Sequence, residues 1–92
     1  MHYSPNLVLC LENAIENQKI VFAVHDSQEK GKSERILEPM AVIYKNRKRH
    51  VVAWCQLRND WRAFRLDRIE TLKVMNETFT PKEGFDLSLI HI

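Results

Sequence analysis

Apolar positions in this chain change rhythm once, from a helical spacing to an alternating one. Ser4 and Pro5 read as an N-cap followed by proline at the first helical position. Leu7, Leu11, Ala14 and Ile15 then recur at helical spacing, leaving Glu12, Glu16 and Asn17 for water, which predicts a helix over residues 5–18. Leu9 and Cys10 broaden its apolar side, so Cys10 is expected to pack rather than react. From Lys19 the residues turn β-branched and aromatic, and residues 19–25 read as a strand. The polar stretch 26–33, with Gly31, makes a hairpin connection to a second strand over 34–44. Pro39 interrupts that strand and must mark an edge, a bulge or a break, because proline cannot donate to a ladder. Asn46 supplies the next turn, and further strands are expected over 49–57, 61–66 and 72–80, with turns at 58–60 and 67–69.

One N-terminal helix and five short strands joined by brief turns predict a mainly β domain, a small and strongly bent sheet or barrel. The pattern fades at Thr80, so residues 5–79 form the expected domain and 80–92 a linker or tail.

Alternation within the strands sorts side chains by face. In the third strand Val51, Ala53, Cys55 and Leu57 share an apolar face, which predicts burial of all four and makes Cys55 a packing thiol. His50, Val52, Trp54 and Gln56 take the other, outward face, where Trp54 is covered by the helix or a partner, or else is available to a ligand. In the fourth strand Phe64 and Leu66 point inward, placing Arg62 at the mouth of the core. A buried unpaired guanidinium is costly, so Arg62 requires Asp60, Asp67, solvent or an anionic ligand. Glu34 and Glu38 share a strand face and are expected to be solvated.

Composition narrows the class. The chain has 92 residues, 45% hydrophobic and 28% charged, enough for one domain with a modest core. It has no apolar run of membrane-spanning length and no signal-peptide pattern, and its two cysteines suit a reducing, cytoplasmic setting. The net charge of +2 hides an asymmetry: residues 45–73 carry nine Lys/Arg against three acids. The tetrapeptide at 45–48 suits a solvated face, but Arg58, Arg62, Arg65 and Arg68 suit bidentate contacts to phosphate or carboxylate. Scattered histidines, no CxxC pair and only two glycines give no support for a metal site, a phosphate loop or any cofactor. No nucleophile is accompanied by an orienting acid, so no enzyme is expected.

The segment 49–55 (RHVVAWC) followed by 59–69 (NDWRAFRLDRI) resembles the WYL domain of bacterial transcriptional regulators. Residues 35–39 (RILEP) resemble that family's strand ending in proline, and 76–79 (NETF) its closing strand. The tripeptide that names the family falls on Arg49-His50-Val51, so its Trp and Tyr are absent and His50 stands where the Tyr would be. The resemblance implies an Sm-like or SH3-like five-stranded barrel with an N-terminal helix. It also implies a sensor joined to a helix-turn-helix DNA-binding domain, with a basic and aromatic pocket for nucleic acid or a nucleotide-like ligand. No such unit precedes residue 5, so a fragment of a larger regulator is expected rather than a stand-alone domain.

Two functions follow. In the first, Arg62, Arg65 and Arg68 contact phosphates of a single-stranded nucleic acid or nucleotide, and His50 and Trp54 offer flat surfaces to a base. In the second, the domain is a homodimerisation module acting through strand edges and Trp54 or Trp61 without a ligand.

Overall fold

The computed structural model describes residues 5–82. It contains helix α1 (Pro5–Glu16), strands β1 (Lys19–Asp26), β2 (Lys32–Lys45), β3 (Lys48–Cys55) and β4 (Asp60–Arg65), a 3-10 turn (Leu66–Arg68) and strand β5 (Ile69–Thr78). Ser4, the expected helix cap, lies outside the described residues, as does most of the expected tail. The helix stops two residues short of expectation because Gln18 adopts φ 55°, a left-handed conformation that ends the helix and redirects the chain into β1.

All pairings are antiparallel, in the order β4-β3-β2-β1-β5. The long β2 organises the sheet: its first half pairs with β1 and its second half with β3. Between them the register shifts at Pro39/Ala41, so proline sits at a bulge that bends the strand. At the β2–β3 turn Asn46 (φ 54°) and Arg47 (φ 64°) are both left-handed, the geometry whose twist matches a two-residue hairpin.

The bend brings His25 of β1 against Phe64 of β4, with ring centroids 5.1 Å apart, although two strands separate them in the sheet. Strong curvature is therefore present. The sheet is not closed, however: β4 and β5 stand at opposite edges, and no ladder joins them among the described residues. The 3-10 turn directs the chain from one edge to the other instead of into a hairpin.

The core lies on the concave side. Leu11 and Ala14 of α1 pack with Val21, Ala23, Leu37, Val51, Ala53, Cys55, Phe64 and Leu66. Burying each such side chain contributes about 1.5–3 kcal/mol for the larger aliphatics. Three expectations fail here. Cys10 is exposed, because the apolar stripe of α1 is centred on Leu11 and Ala14, which turns Leu9 and Cys10 to water. Leu57 is 67% exposed, since β3 ends at Cys55 and Leu57 belongs to the following turn. His50 and Val52 lie on the other face of β3 but are buried rather than exposed, with the 3-10 turn packed back against the strand.

Candidate anion-binding cleft

A cleft of about 270 Å³ opens between the β1–β2 loop and β4, lined by His25, Arg35, Arg58, Arg62 and Phe64, with Ser27 to Gly31 along one rim. Local sequence explains the arrangement. His25 continues the inward face of Val21 and Ala23 along β1, and Arg35 is the register partner of Ala23. Arg62 pairs with Ala53 on the same face, and Arg58 comes from the β3–β4 turn. The rim turns through Gly31 at φ 79°, a conformation glycine adopts without strain. Asp26 Oδ1 accepts from the Gln28 amide (2.9 Å), and Ser27 Oγ accepts from the Lys30 amide (2.9 Å), closing the loop.

Arg35, Arg58 and Arg62 make no ion pair with any described carboxylate. The acids expected to serve Arg62 are engaged elsewhere. Asp60 Oδ1 accepts from the Trp61 amide at 2.8 Å, and Asp67 holds Arg65. Glu29 is the one carboxylate along the cleft's lining. Burial pushes the His25 imidazole below its ordinary range, and the guanidinium charges of Arg68 and Arg35 push it further the same way. The Asp26 carboxylate acts in the opposite direction.

The residues expected to form one site are divided between two faces. Arg62 lines the cleft. Arg68 lies beside it, reaching Gln28 Oε1 of the loop at 3.5 Å while its buried Nε has no hydrogen-bond partner. Arg65 is half-buried and tied to Asp67 by two hydrogen bonds, Nε to Oδ1 at 3.0 Å and Nη2 to Oδ2 at 2.6 Å. That fork raises the Arg65 pKa and holds the Asp67 carboxyl below its usual range. His50, opposite Arg65 in register, donates from Nδ1 to the Lys48 carbonyl at 3.1 Å and is buried. Trp54 stands on that same outer side against Trp61, with centroids 5.4 Å apart and rings near perpendicular. His50 and Trp54 therefore do not line the cleft; the rings that do are His25 and Phe64, set edge to face.

Sequence reasoning passed over His25 and Arg35. The signal was present in the alternation: both follow the inward periodicity of their strands, as polar residues at the end of an apolar face. Reading that signal requires the register between β1 and β2. Among the described residues no group of three or more His, Cys, Asp or Glu could hold a metal, and no helix is long and apolar enough to cross a membrane.

Residues 7–74 match the model of the WYL domain family. Among solved structures, the chain is similar to proteasome accessory factor B/C (PafBC) of Arthrobacter aurescens, at 22% identity and a TM-score of 0.73. That alignment covers 85% of this chain and only 13% of PafBC, so the likeness is to one small part of a much longer protein. With a family match that runs from the first turn of the helix into β5, the chain belongs to the WYL domain family.

Proposed function

We propose that the chain is the ligand-sensing regulatory domain of a bacterial transcriptional regulator, binding a single-stranded nucleic acid or nucleotide-like anion in the cleft. The observation that carries this reading is the convergence of Arg35, Arg58 and Arg62, none paired with a described carboxylate, around one concave opening. Planar guanidinium groups suit phosphate oxygens, and His25 offers a ring edge beside them. At about 270 Å³ the cleft falls near the lower limit of small-ligand sites, which suits a phosphate-bearing unit more than a bulky apolar ligand. Membership of the WYL family supports a regulatory, non-catalytic role, and with it a cytoplasmic setting and a helix-turn-helix partner domain. The meeting of β1 and β4 at His25 and Phe64 supports treating the coiled sheet as a variant of an Sm-like or SH3-like barrel.

In this reading Arg62 is a phosphate contact. His50 and Trp54 move from ligand contacts to the outer face, and Arg65 becomes a structural arginine. Arg68 acts through its charge beside the loop. Fluorescence anisotropy of a labelled mixed-sequence single-stranded DNA tests the proposal. Binding to the wild-type chain, weakened by Arg62→Ala and competed by a nucleoside monophosphate, supports it. Absence of binding at low salt by both DNA and nucleotide refutes it. The second reading, a homodimerisation module, draws on the unpartnered outer edges of β4 and β5 among the described strands. Sedimentation equilibrium decides whether those edges associate without ligand.

A further inference from the structure

A second charged constellation lies at the outer corner where β2, β3 and β4 meet. Glu38 pairs in register with Trp54, which pairs in turn with Trp61. The Glu38 side chain is only 8% exposed, contrary to the solvated carboxylate expected from sequence. Gln56 Nε2 donates to its Oε2 at 3.1 Å, whereas its Oε1 has no hydrogen bond. Lys82, from the segment that follows β5, places its ammonium 3.6 Å from that Oε1 and 5.3 Å from the centre of the Trp54 ring.

We propose that Trp54 and Glu38 form a binding site for an alkylammonium group, occupied in this structure by Lys82 of the same chain. The chemistry is specific to a cation of this shape. A buried carboxylate oxygen without a hydrogen bond demands a positive partner, since an unpaired buried charge is expensive. The adjoining face of Trp54 attracts the same charge through its quadrupole and excludes bulk water from one side of it. Trp61, set at 84° to Trp54, buttresses that wall. Lys82 is a resident that can leave: its side chain remains 43% exposed, so it enters the corner from solvent and can be displaced back into it. A lysine or methylated ammonium of other origin would satisfy the same groups. Occupation by Lys82 latches the chain after β5 to the sheet, and displacement would release it. The site lies on the opposite side of β3 from the arginine cleft and does not depend on the proposal made for that cleft.

Tryptophan fluorescence of the full chain, titrated with tetramethylammonium chloride against sodium chloride at matched ionic strength, tests this. Lys82→Ala should give a saturable change, with half-saturation at a concentration about fivefold lower than in the wild type, where Lys82 competes; this is the scale of one exposed cation–π contact. Adding Glu38→Gln to Lys82→Ala should abolish the saturable change. Should that variant fail to fold, Trp54→Leu in the Lys82→Ala background should abolish it too, with Trp61 as the remaining reporter. Equal responses of wild type and Lys82→Ala would overturn the proposal, as would a Lys82→Ala response no different from that to sodium chloride.

Discussion

Replacing Arg62 by alanine should weaken single-stranded DNA binding in a salt-dependent way whose size follows from the cleft. Three arginines converge there, and each phosphate neutralised on a single strand contributes about −0.7 to the log–log salt slope, predicting a slope of about −2. Raising salt from about 50 to about 200 mM would then weaken wild-type binding roughly 20-fold. Without Arg62 two contacts remain, the slope falls to about −1.4, and the same change costs roughly 7-fold. Arg62 is exposed, so its loss at fixed low salt should cost about 1 kcal/mol, below the ~1.5–3 of a well-buried charged hydrogen bond. That corresponds to about fivefold in affinity. Anisotropy titrations of wild type, Arg62→Ala and Lys45→Ala at several salt concentrations would measure both quantities. Lys45, at the far end of β2 from the cleft, serves as a control for net charge. Equal slope changes in Arg62→Ala and Lys45→Ala would show that diffuse charge, and not the cleft, attracts the strand.

Leu11→Ala, which empties a fully buried position between helix and sheet, should cost about 2–5 kcal/mol in urea denaturation, and a loss below about 1 kcal/mol would contradict the assigned core. Burial lowers the pKa of both His25 and His50, with Arg68 and Arg35 adding to the effect at His25. The unfolded chain therefore gains protons near pH 6.5 that the folded chain refuses, so their contribution is full above that pH and lost as pH falls below it. Thermal melts should show stability falling below about pH 6.5, with a smaller fall in His25→Asn; identical profiles would remove His25 from this role. Ellman titration of the native chain should find one fast thiol, the exposed Cys10, and a second only after denaturation, when Cys55 is released. Two fast thiols in the native state would contradict the burial of Cys55.

Secondary structure was legible because local chemistry and tertiary demand agree in most of this chain. Residues 20–24 are β-branched and aromatic, and they occupy the interior of β1. Pro39 announced an irregularity, and the bulge supplies it. The WYL resemblance drew mainly on residues 49–69, which span most of β3 with β4 and the 3-10 turn. What remained illegible depends on relations between strands. Alternation assigned His50 and Trp54 correctly to one face and Arg62 to the other. Nothing local revealed that the bend would turn the Arg62 face into a cleft with His25 and Arg35, or that Lys82 would cross to cover Glu38. Arg65 looked as suitable for phosphate as Arg62. Its capture by Asp67 depends on the 3-10 turn, which folds the two side chains together. Whether the bent sheet closes was illegible for the same reason, since closure is a property of the strand edges and not of any one segment.

The arginine-lined side of the sheet, and not the tryptophan side, should receive the ligand. Amide and side-chain NMR shifts of the isotopically labelled chain, followed during titration with a short single-stranded DNA, address this directly. The largest perturbations should fall at His25, Arg35, Arg58 and Arg62 and along the β1–β2 loop, with the His25 imidazole moving toward its protonated form as phosphate offsets the neighbouring guanidinium charges. His50, Trp54 and Arg65 should shift little. Perturbations centred on Trp54, Trp61 and His50, with the arginine cleft silent, would contradict it.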